Sequence, residues 1–427
     1  MNPFTFRKLE YDRIVEMLVK ECSSNPGKSL AEDLEPITDS QQIANWQRET
    51  TEGVTVRRME PNIPLGGIVD VGRQIRKAKI GGMLEPEEFL QLLDTLKACK
   101  RISHFFLDRK RTYEIPRLEW WASQLTLLPE LESEIDAVIS SEAQVKDSAS
   151  SELMSVRRKI NTLKNKIRER LESIVRSENS SKYLQDALVT IRNDRYVVPV
   201  KQEYRSQIPG IVHDQSASGA TLFIEPMAVV EMNNDLRKAY ATERDEVVRI
   251  LMELSGKIEP YSDDLQYNMQ VLAQIDFIFA KARLSEKMNA VEPVLKTTPQ
   301  LSIIKGRHPL IHPKQVVPLT IALGKDFDSV IITGPNTGGK TVTLKTVGLF
   351  VLMAQSGLHI PAEAGSEMGL FHGVFADIGD EQSIEQSLST FSSHMKNIVH
   401  ILEKADYRSL VLFDELCAGT DPTEGAA

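Results

Sequence analysis

Residues 334–341 spell Gly-Pro-Asn-Thr-Gly-Gly-Lys-Thr, a full G-x-x-x-x-G-K-[ST] phosphate loop directly behind the apolar run Val330-Ile331-Ile332. Few short segments restrict a fold as strongly, because the loop works only between a strand and the first turn of a helix. Gly334, Gly338 and Gly339 let backbone N–H groups curl around a β-phosphate, with Pro335, Asn336 and Thr337 completing the cradle. Lys340 reaches the β/γ oxygens, and the Thr341 hydroxyl is positioned for Mg²⁺. The run 330–332 is therefore expected to be a buried strand. Val342, Leu344, Val347, Leu349 and Phe350 carry the pattern of the helix behind the loop.

A second half-site follows at Leu410-Val411-Leu412-Phe413-Asp414-Glu415, an apolar strand ending in two acids. Alone, such a run is as often a strand running out into solvent. Paired with the loop it reads as the Walker B element, with Asp414 on Mg²⁺ and Glu415 polarising the water that attacks the γ-phosphate. The turn Gly419-Thr420-Asp421-Pro422 and the absence of an Asn-Lys-x-Asp tetrad favour ATP over GTP and an ABC-like ATPase over a small GTPase. The catalytic candidates are Glu415 and Lys340, and the cofactors ATP and Mg²⁺.

The segment Ser409 to Thr420, closed by Gly425, resembles the signature of the MutS mismatch-repair ATPases, as does the spelling of the phosphate loop. Between them, Ser387 to Met395 is similar to that family's Ser-Thr-Phe segment. The resemblance implies that Ser389 crosses a homodimer interface to the partner's γ-phosphate; the plainer reading is a polar helix start with Ser387 or Ser389 as N-cap. Gly306-Arg307-His308-Pro309-Leu310 resembles the family's stretch before the loop and would put His308 near the adenine, though an Arg-His-Pro turn is as often structural. The chain opens with Phe4 to Tyr11 and enters helical patterning at once, leaving no room for mismatch-reading and connector domains. Residues 209–226 are similar to a segment of the second bacterial MutS type. That type is associated with suppressing recombination and rescuing stalled ribosomes, and carries a nuclease-like domain after the ATPase. The chain ends at Ala427, just past the Asp421 turn, and reads as a C-terminally truncated fragment of that type.

The expected fold is multidomain: an all-α core, a long helical lever with a small β clamp, then an incomplete α/β P-loop ATPase domain. Breakers at Asn25-Pro26-Gly27, 61–67, Gly81-Gly82 and Pro116 divide a helical core over 1–150. Leu153, Val156, Ile160, Leu163, Ile167, Leu171 and Ile174 step by three or four, one seam of a first lever helix (151–186). A second lever helix runs from about Val229 to Lys257 and the chain returns to the core by 295. Between the arms, within 187–228, residues 187–191, 196–200 and 220–224 read as strands. The ATPase domain takes 296–427.

Charge bears on partners. The whole chain carries −9, yet residues 151–205 hold thirteen Lys or Arg against seven Asp or Glu, a local +6 that leaves −15 elsewhere. Arg192, Arg195, Lys201 and Arg205 in the β module are the candidate nucleic-acid contacts, through phosphates rather than bases. Ser216, Ser218 and Gly219 either approach a phosphate or form a plain polar hairpin tip. No apolar stretch approaches a membrane span, residues 1–20 lack a signal-peptide core, and Cys22, Cys99 and Cys417 form no C-x-x-C pair, all of which points to the cytoplasm. The function expected is a dimeric ATP-hydrolysing switch acting on branched or recombination DNA. Its rivals are an ATPase that engages stalled ribosomes through ribosomal RNA, and a non-catalytic helical scaffold.

Overall fold

The computed structural model describes residues 3–60, 62–108, 112–177, 180–334, 339–378 and 387–414. The chain is rich in helix, with small sheets. In order it forms α1 (Pro3–Lys8), α2 (Tyr11–Glu21), α3 (Asn25–Glu32), α4 (Ser40–Met59), α5 (Gly72–Lys79), α6 (Pro86–Phe106), α7 (Pro116–Ser123) and α8 (Pro129–Val138). The long helix α9 (Ser151–Val175), the short α10 (Ser180–Tyr183) and strands β1 (Thr190–Arg192), β2 (Arg195–Lys201), β3 (Gly210–Gln215) and β4 (Thr221–Pro226) follow. Then come α11 (Met227–Gly256), α12 (Ser262–Lys287), β5 (Val294–Lys296), β6 (Leu301–Gly306) and β7 (Leu319–Leu323). The last elements are α13 (Lys340–Gln355), β8 (Glu367–Gly369), β9 (Gly373–Asp377), α14 (Ser387–Lys404) and β10 (Ser409–Phe413).

Two compact units result, one from 1–70, 94–127 and 264–427, the other from 71–93 and 128–263. The helical stretch 1–150 thus contributes to both. Inside the first unit, α13 is buried all round from Thr346 to Gln355, as a helix threaded through a core must be. Leu9, Ile14 and Leu18 pack on one part of it, and Leu301, Met368, Val374, Leu410 and Leu412 of the strands on another. Gly348 makes the closest approach possible, since a Cβ there would stand 2.6 Å from Leu412 and 2.8 Å from Leu9. A second cluster joins α4, α6, α7 and α12 through Val56, Ile102, Phe106, Leu118, Ile275 and Phe279. Strands β9 and β10 pair in parallel, with Gly373 opposite Ser409 and Asp377 opposite Phe413, while β5-β8-β6-β7 make a separate sheet.

The strand expected at 330–332 does not form. Ile331 is 88 % exposed and Val330 41 %, and among the described residues no strand pairs with them, so the apolar run lacks the neighbours that a parallel strand needs.

The second unit follows the periodicity more closely. Ser150 caps α9 by accepting from the Leu153 N–H, and Ile160, Ile167 and Leu171 pack in one cluster with Val229, Leu236 and Ala239 of α11. Arg157 pairs with Glu243 near one end and Lys164 sits over Tyr240 further along, so the helices run antiparallel. Both continue into an antiparallel sheet of order β1-β2-β4-β3. The first strand is shorter than expected, starting at Thr190 rather than 187, and β3 was not foreseen. Its Pro209-Gly210 start looks like a turn, yet Val212 pairs with Ile224 across the sheet.

Candidate functional site

Gly339 takes φ 81°, in the left-handed region, and turns the chain into the first turn of α13. Gly334, at φ 140°, opens the loop; Pro335, Asn336, Thr337 and Gly338 lie outside the described residues. Lys340 and Thr341 are the first residues of α13, where the helix dipole favours an anion. Thr343 Oγ1 donates to the Gly339 carbonyl at 3.0 Å and so braces the turn.

β10 ends beside this helix head. Thr341 Oγ1 donates to Asp414 Oδ2 at 2.5 Å, bringing together two residues seventy-three positions apart. A hydroxyl and a carboxylate are hard oxygen donors, the chemistry Mg²⁺ selects, so this pair fits the ion expected there. Glu415 lies outside the described residues. The backbone around Asp414 is fixed by its N–H, which donates to the Asp377 carbonyl at 2.9 Å. Asp377 is itself buried and accepts from Asn397 Nδ2 of α14 at 2.9 Å. The sequence reading missed Asp377 and Asn397. Their only signal was a polar end to the short apolar run of β9. Ser389 lies in the first turn of α14.

His308 is 5 % exposed, with its Nδ1 accepting from the Leu310 N–H at 3.3 Å. Burial lowers its pKa, partly opposed by the nearby Glu10 carboxylate. The ring is packed inside the fold rather than offered to a base, which is the structural alternative for an Arg-His-Pro turn. Glu10 also takes hydrogen bonds from Arg13 and from Lys345, one turn beyond Thr341. Burial alone would raise its pKa, but these two cations leave it lowered.

The far end of α13 is held just as firmly. Gln47 Nε2 donates to the Ala354 and Leu358 carbonyls at 2.9 Å each, and Thr50 Oγ1 to the Gly357 carbonyl at 2.7 Å. His359 sits between Ser285 Oγ on Nδ1 at 2.7 Å and Thr51 Oγ1 on Nε2 at 3.0 Å. The helix that starts at the phosphate loop therefore ends locked to α4 and α12.

In the β module the four candidate cations differ. Arg195 is turned inward, its Nη1 at 2.9 and 3.1 Å from the two oxygens of fully buried Glu225 and its Nη2 on Asn234. His213 and Asn233 share the same carboxylate at 2.5 and 2.7 Å. That corrects the reading of Arg195 as a surface cation: its charge balances Glu225, thirty residues on. Arg192 lies over the Phe223 ring at 4.3 Å with Asp214 at 3.4 Å, and Lys201 donates to the Lys182 carbonyl at 3.3 Å. Arg205 is exposed. At the hairpin tip, Ser216 Oγ accepts from the Thr221 N–H at 3.0 Å and Gly219 takes φ 74°, so a tight turn accounts for these residues. No helix among the described residues is long and apolar enough to cross a membrane.

The family described as MutS domain V matches residues 330–427. Over its whole length the chain is 52 % identical to a protein named Endonuclease MutS2 in Alkaliphilus oremlandii (strain OhILAs), covering 54 % of that protein. It is also 52 % identical to one of the same name in Geobacillus sp. (strain WCH70), covering 55 %, and 53 % identical to one in Pelotomaculum thermopropionicum, covering 54 %. The chain thus spans about half the length of the curated relatives it matches.

Proposed function

Since the chain belongs to the MutS family, in its second bacterial type, we propose that it supplies the ATPase head and the nucleic-acid clamp of a homodimeric, ATP-hydrolysing DNA-binding protein. The observation that carries this reading is the Thr341–Asp414 hydrogen bond, which joins the phosphate loop to the Walker B strand. Gly334 to Thr341 would hold the triphosphate, with Lys340 neutralising the β/γ oxygens. Thr341 and Asp414 would hold Mg²⁺, which when bound screens the phosphate charge and orients the γ-phosphoryl group. Asp377 keeps Asp414 aimed through its carbonyl. Glu415 would orient the attacking water, and Ser389 of one protomer would complete the pocket of the other.

A change at the head of α13 has a rigid route to the helical core, because Gln47, Thr50 and His359 fix its far end to α4 and α12. Switching between nucleotide states would use that route. On the clamp, Lys201 and Arg205 are the better-placed phosphate contacts, with exposed cations of α9 such as Arg158, Lys159 and Lys166. Such binding would track the backbone of branched DNA with little base preference and strong salt dependence.

The test is ATPase activity of the intact protein and of Lys340→Ala, with and without branched DNA and with and without collided ribosomes. Stimulation by branched DNA that disappears in the variant supports the reading. Stimulation by ribosomes alone would move the same motor to ribosome rescue, and no nucleotide binding at all would leave a helical scaffold.

A further inference from the structure

We propose that a groove on the face of α2 and α3 receives a cationic amphipathic segment of a partner protein. The cavity measures about 540 Å³ and is floored by Phe6, Tyr11, Val15, Val19 and Leu34. Tyr11, Val15 and Val19 recur every four residues, so a single stripe of α2 faces the groove. Phe6, Val15 and Val19 stay half-buried, whereas Tyr11, Ile14 and Leu18 of α2 are packed completely.

The rim decides the occupant. Asp12, Glu16, Glu32 and Glu35 stand exposed around the floor, against the single lining cation Lys20. Four carboxylates repel a nucleic acid or an acidic peptide and attract lysines and arginines. An apolar floor of this length between acidic edges suits a helix carrying bulky residues at i and i+4 with basic flanks. The floor is also tied to the ATPase head, since the Tyr11 hydroxyl is hydrogen-bonded to Ser356 Oγ at 2.6 Å, immediately after α13. Tyr11 is itself buried within the floor, so an occupant seated on Phe6, Val15 and Val19 lies one side chain from the end of the helix that begins at the phosphate loop. This surface does not depend on the nature of the nucleic-acid substrate.

The probe is a fluorescein-labelled peptide of Leu and Lys with leucines at i, i+4 and i+8, titrated against the intact protein by fluorescence anisotropy. A scrambled peptide of the same composition and a Leu/Glu peptide are the comparisons. The ordered cationic peptide is expected to bind, and Glu16→Lys with Glu32→Lys to weaken it by about tenfold or more, as loss of complementary charge at a rim does. Val15→Trp, which fills the groove from a half-exposed position, should abolish binding without lowering the melting temperature. Reversing Glu253, an exposed residue of the other compact unit that is not among the groove's lining, to Lys should change nothing. Equal binding of the scrambled peptide, equal loss in the Glu253 variant, or no binding because the intact protein's own chain covers the groove would each overturn the proposal.

Discussion

Replacing Lys281 by Met should make the first unit more stable at neutral pH, although it removes a charged residue from the centre of the fold. Lys281 is 1 % exposed on α12, and its Nζ has no hydrogen-bond partner among the described residues. Burial pulls its pKa from 10.5 to about 8, against a weaker opposing pull from Glu49. That difference corresponds to about 3 kcal/mol against the charged form on folding. The rings of Phe277 and Trp46, 5.0 and 5.9 Å from Nζ, return part of it. At about 0.5–1 kcal/mol for such contacts, the net gain expected for Lys281→Met at pH 7 is about 2 kcal/mol, with little change in side-chain volume. The pH dependence has a definite sign. Below pH 8 lysine is charged in both states and the full penalty applies. Between pH 8 and 10.5 the folded state has released its proton while the unfolded state still holds it, so stability of the parent rises with pH. The advantage of the variant should therefore shrink across that interval. Urea unfolding followed by tryptophan fluorescence reports the right unit, because Trp46, Trp120 and Trp121 all lie in it. A variant no more stable than the parent at pH 7, or a gain that stays constant to pH 10.5, would refute the reasoning.

Other expectations follow from the same physical arguments. Burial holds His359 at about pKa 4, so the unit should keep its stability above pH 6.5 and lose up to about 3 kcal/mol as the pH falls from there to 4. The midpoint of urea unfolding against pH measures this, and His359→Gln should flatten the profile. Arg195→Ala leaves Glu225 buried without its cation and should cost about 3 kcal/mol, seen as faster hydrogen exchange in β2 and β4. Arg195→Lys with normal exchange but lost DNA affinity would contradict that structural role. Lys201→Ala and Arg205→Ala should each lower the slope of log affinity for DNA against log salt by about 0.9, with no change in exchange.

The sequence made some of this legible and hid the rest for identifiable reasons. The helix α13, the strand β10 and the long helices α9 and α11 were readable because their signals are local: apolar residues repeating along a strand or over many turns. Residue β-propensity placed β2 and β4 to within two residues at either end. The strand β3 was missed because His213, Asp214 and Gln215 break its apolar alternation, and its pairing with β4 is a non-local fact. Arg195 looked like its neighbours until Glu225 was seen beneath it. Likewise the run 330–332 has every local mark of a buried strand, but a strand forms only where another lies beside it. Asp377 acts through one backbone carbonyl, a contact that no residue pattern encodes.

A Mg²⁺-dependent nucleotide site at Thr341 and Asp414 is tested most directly by calorimetry of ATP binding with and without Mg²⁺, for the parent and for Asp414→Asn. The expected result is that Mg²⁺ tightens ATP binding to the parent and has little effect on the variant. An equal response to Mg²⁺ in both proteins would contradict the account.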